Sequence, residues 1–419
     1  MMRTARGFTL VELMVALSGG LFVTVVVFAL ARDASRFYTR ERRAAQATLA
    51  ALTGFERLRN DVSRAGFLGS GNISADPFVC SRPGVGAPAL MQRLAGIRIT
   101  NGGSPANTTL TANSMSPDSV VLAGSFSSPD EFPVRNVILN ANATYSVYLQ
   151  PSSGAMARLG YVGLATPAER TAKLAEVFAT NRALRIVDHE GRQHYGLISG
   201  VGVGAGGDQP QITLANTLPL IFRSANSRLC GLTAEPGATA NVINFIRYDI
   251  RSLSGVTAYG SLYTARAGVL GEATRTELVR AELDPADAAG TALLSIGGAT
   301  AVQELVAEYA VDFDLEPAAV VGANLAPDPD VQQVPPANAA TFASITGNTG
   351  AAQRIRSVRV RLGVRSREAD RGADTVSQAD VAPGRYRMLL GTEGGQPRYA
   401  RIRTLQADIM INNNAGITW

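Results

Sequence analysis

The chain opens on a long apolar run: residues 8–31 carry one charge, Glu12, among Phe, Leu, Val, Met, Ala, Thr, Ser and Gly. As a helix rising about 1.5 Å per residue, the run extends roughly 36 Å, enough to cross a bilayer. From Arg32 to about Ala65 there is no proline and one glycine, Gly54, while Leu49, Leu52, Phe55, Leu58, Val62 and Ala65 recur at three- and four-residue steps. That spacing predicts an amphipathic helix with one buried stripe. Joined, the two stretches predict one helix of about 85 Å, with its first half in a membrane or filament core and its second half packed on a folded body. An anchor followed by a separate amphipathic helix has the same pattern. Gly19-Gly20 is the weak point of the first half.

Past residue 67 the period changes to two. Short strands are expected at 119–123, 145–149, 184–187, 194–200 and 242–251. The clearest strand is 304–315, with Leu305, Ala307, Tyr309, Val311, Phe313 and Leu315 on one parity and Glu304, Glu308, Asp312 and Asp314 on the other. A second, 357–367, sets Val358, Val360, Leu362 and Val364 against Arg359, Arg361, Arg365 and Arg367, and its parity flips at Ile355, which predicts a bulge near Ser357. Their outer faces carry opposite charge, so they are expected to lie antiparallel with acids and arginines paired across them. Thr166-Pro167-Ala168-Glu169 has the cap, first-turn proline and capping carboxylate of a helix running to about Thr180. Segment 272–284 fits helix or strand, and 101–117, 202–210 and 323–353 read as loops. The expected class is α+β: a long N-terminal helix on an antiparallel β-rich body, in one sheet or two.

Composition narrows the chemistry. With 46% hydrophobic and 17% charged residues the 419-residue chain can bury a core. The formal charge of +5 is carried almost wholly by arginine, Lys173 being the one lysine, and is too small a surplus to imply nucleic acid without a clustered face. Arg359, Arg361, Arg365 and Arg367 are the candidate basic face, but an arginine row beside an acidic strand needs no ligand, and no nucleic-acid partner is expected. Two His and two Cys nearly exclude a multi-ligand Cys/His metal site and leave several nucleophile–base pairings without candidates, so neither enzymatic activity, cofactor nor metal is expected. Asp188-His189-Glu190 with His194 has the groups to bind a metal or move a proton, yet it reads as a hairpin turn. The glycines from Gly200 to Gly207 precede a strand-like Gln211-Ile212-Thr213-Leu214 rather than a helix, which argues against a phosphate loop. Asp328-Pro329-Asp330 offers too few oxygens for calcium.

The N-terminus adds a specific resemblance. Arg6-Gly7-Phe8-Thr9-Leu10-Val11-Glu12-Leu13 resembles the type IV prepilin signal: a short basic leader, a Gly-Phe junction, and Glu at the fifth mature position. The resemblance implies that prepilin peptidase cleaves after Gly7, removing leader 1–7 with Arg3 and Arg6, and methylates the new amine of Phe8. It further implies that Glu12 pairs with such an amine during subunit docking. A carboxylate in hydrocarbon costs roughly 2–3 kcal/mol and calls for a cation, although Glu12 also complements its own helix N-terminus. Arg32, Arg36, Arg40, Arg42 and Arg43 outnumber Arg3 and Arg6, which by charge alone would keep the body in the cytoplasm. Long domains are translocated largely regardless of that rule, and the resemblance implies a periplasmic body.

Five further segments are similar, in order, to the PilW family of type IV minor pilins and to the related minor pseudopilin J of type II secretion. They are Leu58–Phe67, Asp118–Leu122, Ala301–Asp312, Arg356–Leu362 and Ala400–Ile409. The middle third matches poorly. Membership would imply a leader (1–7), a transmembrane half-helix (8–31), an amphipathic half-helix (32–66) and a β-rich body (67–419). It would also imply a role in priming pilus assembly and in the tip complex. The implied partners are other minor pilins, a large tip adhesin, the major pilin, prepilin peptidase and the inner-membrane assembly platform. A surface ligand-binding pilin is the alternative from another class. Cys80 and Cys230 permit one intrachain disulfide in an oxidising compartment, or stand as two separate buried thiols.

Overall fold

Leu10–Ser63 form one unbroken α-helix of 54 residues, α1, in a computed structural model that describes residues 9–417 except 85, 205, 223–229, 233–236, 265–267, 297–298, 301–302, 322–329, 348–349 and 371–385. Within α1 the side chains of 36, 39, 40, 43, 44, 46, 47 and 50 are also outside the description. The two predicted half-helices are therefore continuous, in two different environments. Leu10–Ser35 is long and apolar enough to cross a membrane, and its apolar stretch is uncovered by the body, whereas Ala51, Phe55, Leu58 and Val62 are buried. Leu49 and Leu52, expected in the buried stripe, are 67% and 44% exposed. Periodicity gives the direction of a helix face but not where the body begins to cover it.

Gly54 marks that contact. A Cβ built there would lie 2.3 Å from the carbonyl oxygen of Val306 and 2.9 Å from its carbonyl carbon, so the helix rests directly on backbone. Alanine gains up to about 1 kcal/mol of helix propensity, but the contact is with main chain and cannot yield by a rotamer change. Gly54→Ala is expected to lower stability by about 1–3 kcal/mol, read from urea unfolding of the full chain in detergent. A gain in stability would show that helix and strand separate freely.

The strands run in chain order as β1 (Ile97–Thr100), β2 (Ser119–Gly124), β3 (Phe132–Leu139), β4 (Tyr145–Leu149), β5 (Ala183–Val187) and β6 (Gln193–Val203). They continue as β7 (Pro210–Leu214), β8 (Thr239–Arg251), β9 (Glu277–Leu283), β10 (Ser295–Ile296), β11 (Ala299–Thr300) and β12 (Glu304–Ala307). The last five are β13 (Ala310–Val320), β14 (Val331–Gln333), β15 (Ile355–Arg365), β16 (Arg387–Glu393) and β17 (Gln396–Met410). All five predicted short strands fall within β2, β4, β5, β6 and β8, and ambiguous 272–284 contains β9. The expected helix after Thr166 is Pro167–Val177, capped by Thr166 and Glu169.

The strands form a ten-stranded sheet, a five-stranded sheet in the order β14-β13-β15-β17-β16, and the small β10–β11 pair, confirming the α+β class with an antiparallel body. Long strand β8 organises the larger sheet. Its C-terminal half lies between β2 and β9, with β1 and β12 outside them. Its N-terminal half pairs with β5 and, through Phe132 and Pro133, with β3. Because β3–β4, β4–β7, β7–β6 and β6–β5 also pair, these six strands close into a ring around a core that includes Val147, Leu149, Ile186, Ile212 and Val242. The buried end of α1 sits where the two sheets meet: Phe55, Leu58 and Val62 share one cluster with Leu122 and Ile246 of the larger sheet and Phe313, Val360 and Leu362 of the smaller.

Three expectations are corrected. The run 304–315 is not one strand: β12 pairs with β9 and β13 with β15, in different sheets. Between them Tyr309 takes φ +56°, a left-handed conformation uncommon for a bulky residue. Its ring lies 4.4 Å from the Arg275 guanidinium and 4.8 Å from that of Arg365, and its hydroxyl donates to Glu272 at 2.9 Å. Side-chain anchoring holds a backbone turn that an unbroken alternation conceals. Segment 323–353 is also not simply a loop, since it holds β14 and a helix, Ala339–Thr346, that buries Phe342 and Ile345. Likewise 101–117 contains the short helix Thr108–Ala112, capped by the Asn107 side chain.

The charge pairing expected between 304–315 and 357–367 is present only between β13 and β15, since Glu304 pairs instead with Arg57 and Arg280. Arg361 reaches Asp312 at 2.8 Å and Asp314 at 3.0 Å, and Arg359 reaches Asp408 at 3.1 Å and Glu316 at 3.7 Å. The register slips where Ala318 faces Ser357 and Ala319 faces Ile355, leaving Arg356 as the extra residue of a bulge.

Candidate functional site

The N-terminal end of α1 is built by a capping box. Thr9 accepts a hydrogen bond from the Glu12 backbone N–H at 3.3 Å, and its own N–H donates to Glu12 Oε2 at 3.0 Å. The Thr9 hydroxyl donates to the same oxygen at 2.9 Å. Glu12 is thus folded back over the positive end of the helix, where an acidic group is favoured. Thr9-x-x-Glu12 is the same signal as Thr166-x-x-Glu169, and sequence reasoning used only the second. Gly7 and Phe8 lie outside the described residues.

Beyond this cap the span presents large apolar side chains to its surroundings: Leu10, Phe22 and Phe28 are each at least 70% exposed. A continuous apolar surface of this kind requires lipid or other helices around it. Its few hydroxyls are satisfied internally, Ser18 donating to the Val15 carbonyl at 3.0 Å and Thr24 to that of Gly20 at 2.8 Å, as a segment without water requires.

At the other end an ionic clasp fixes α1 to the body. Asp61, nearly buried, accepts from the Tyr248 hydroxyl at 2.8 Å and from Arg280 Nε at 2.7 Å. Arg280 and Arg57 each approach Glu304 at 3.5 Å. One carboxylate therefore links the helix to β8 and β9, and the flanking arginines extend the link to β12. Sequence reasoning missed Asp61 as an anchor, because its partners lie 187 and 219 residues away.

The remaining candidates have structural placements. Cys80 and Cys230 are joined in a disulfide, and the Cys80 N–H donates to the Gln193 carbonyl at 3.0 Å, beside β6. The four arginines do not form an open basic face. Arg359 and Arg361 are paired as above, and Arg365 is buried and donates to the carbonyls of Ser366, Arg367 and Gly271. Arg367 lies 3.7 Å from Glu272. Asp188 accepts from the backbone N–H groups of Glu190 and Arg192, shaping the β5–β6 turn. His194 is fully buried 3.6 Å from Asp188, and burial depresses its pKa. Gly200 lies within β6, and the chain turns directly into β7. Of Asp328-Pro329-Asp330, only Asp330 is among the described residues, and among those residues no cluster of three or more His, Cys, Asp or Glu could hold a metal.

Asp118 joins the two sheets: its carboxylate accepts from Gly102 N at 2.8 Å and Leu315 N at 2.9 Å. Burial, opposed by these two bonds and reinforced by Asp314 and Asp312, pushes its pKa up to about 7. The folded state therefore holds a proton that the unfolded chain releases near pH 4. This contribution to stability is full below that pH and is lost as pH rises towards 7. The difference in melting temperature between the native chain and Asp118→Asn is expected to shift against the native chain from pH 4 to pH 7. A pH-independent difference would contradict it.

Comparison with known proteins matches residues 2–18 to the family described as Prokaryotic N-terminal methylation motif. No curated protein and no solved structure matches. The motif and the apolar helix that follows give the chain a type IV prepilin-like N-terminus. They indicate a pilin-like or pseudopilin protein, processed by prepilin peptidase and associated with the membrane.

Proposed function

We propose that this chain is a minor pilin of the PilW kind, which primes type IV pilus assembly and remains in the pilus tip complex. One observation carries the finer reading: the segments that resemble PilW in sequence order are gathered around α1. Leu58–Phe67 ends the helix and enters the body, Ser119–Leu122 is in β2, Glu304–Ala307 is β12, and the last two segments lie in β15 and β17. These strands pack on α1 or share its core cluster, while the poorly matching middle builds the closed ring. The shared part is thus the helix with its immediate support, and the ring is an added module.

The role is structural and not catalytic. Before assembly the chain sits in the inner membrane by residues 8–31 with its body in the periplasm; afterwards that span packs among the helices of the major pilin and other minor pilins. The body then faces a large tip adhesin, and the inner-membrane platform drives the transfer. Minor pseudopilin J, which has the same resemblance, is the second reading. The two separate on deleting the gene in a retraction-deficient background, with a complementing copy, and both counting surface pili and assaying secreted proteins. Lost pili with normal secretion is the expected result. Normal pili with blocked secretion would transfer the chain to type II secretion, and neither defect would favour a ligand-binding accessory built on the ring.

A further inference from the structure

The helix between the membrane span and the body has a cationic face. Arg32, Arg36, Arg40 and Arg43 follow one another at four-, four- and three-residue steps, which places all four positions on one side of α1. Continued by the same steps, that side reaches Ala47, Ala51 and Gly54, where Ala51 is buried and Gly54 rests on Val306. The arginine positions therefore lie on the side over which the body sits. Among the described residues of α1, Ala51 carries the first buried side chain, about 12 Å along the helix from Arg43.

The location fixes the chemistry of the partner. Arg32 is within the last turn of the apolar span, which ends at Ser35, so a long guanidinium there can reach the interface by snorkelling. Phe37 and Tyr38 follow at once, 62% and 74% exposed, with their rings edge to face, as aromatic residues sit at headgroup level. Segment 32–43 carries five arginines, counting Arg42, against the two carboxylates Asp33 and Glu41. We propose that this face binds the anionic headgroups of membrane phospholipids, holding the body's underside to the bilayer until the subunit is extracted into a filament. The attraction also accounts for the five arginines on the body's side of the span, where orientation by charge would not place them.

The inference rests on the reading that Leu10–Ser35 spans a membrane, and the test separates the two. The full chain is reconstituted in phosphatidylcholine vesicles, insertion is checked by resistance to carbonate extraction, and spin-labelled phosphatidylglycerol or phosphatidylcholine is added to report lipid held at the protein. Preference for the anionic lipid is expected to be about fivefold or more, the factor that one arginine contributes near an anionic surface. High salt should weaken it, and an R36Q/R40Q/R43Q chain, still inserted, should lose it. Equal association of the two lipids with an inserted chain would overturn the inference alone, as would a preference unchanged in the triple variant. A chain removed by carbonate would overturn the spanning reading and this inference with it.

Discussion

Replacing Arg275 with leucine is expected to destabilise the body by about 3–5 kcal/mol, the cost of leaving buried charges without their partner. Arg275 is 3% exposed between Glu272 and Glu277, which are buried as deeply. Its guanidinium donates to Glu277, lies 3.6 Å from Glu272, and covers the rings of Tyr263 and Tyr309 at 5.1 Å and 4.4 Å. Removing it strands two carboxylates and loosens the left-handed turn at Tyr309, where the chain passes from one sheet to the other. Urea unfolding of the full chain in detergent measures the loss. The triple change R275L/E272Q/E277Q should recover part of it, because the stranded charges are then gone. A loss below about 1 kcal/mol for Arg275→Leu would mean that Arg365 and Arg367 neutralise the site unaided.

The second large effect is at Glu12, where the two roles of the carboxylate can be separated. Glutamine at this position still completes a capping box but carries no charge. If Glu12 serves only its own helix, Glu12→Gln assembles normally. If it must pair with an α-amine, Glu12→Gln should reduce incorporation into filaments about tenfold or more, as expected for a charge-assisted bond worth about 1.5–3 kcal/mol. Glu12→Leu should behave alike while inserting in the membrane at least as well as the native chain, since a charge has left the apolar span. The filament and membrane fractions of each variant give the answer, and equal incorporation of native and Glu12→Gln chains would reject the pairing role.

What could be read from the sequence was what depends on local period and charge. The length of α1, the strands of alternating pattern, the Thr166 cap and the Arg361–Asp312 ladder all follow from residues a few positions apart or from two complementary stripes. What could not be read depends on distant coverage. Arg365 continues an outward-facing parity, yet it is buried because the Gly271 carbonyl and the Tyr309 ring lie over it. The division of 304–315 into two strands is fixed by Arg275 and Glu272, over thirty residues upstream of Tyr309. Ring closure depends on β8 meeting β3 and β5, about a hundred and about fifty residues before it. At the N-terminus the motif was plain in the sequence, and what the structure adds is how Thr9 holds the Glu12 carboxylate against the helix end.

We propose that this chain enters a filament by its N-terminal helix. Pili sheared from cells carrying the native chain, washed free of membranes and digested, test it by mass spectrometry. Peptides of the body are expected together with an N-terminal peptide that begins at N-methylated Phe8. Finding the chain only in the membrane fraction, or with residues 1–7 still attached, would contradict it.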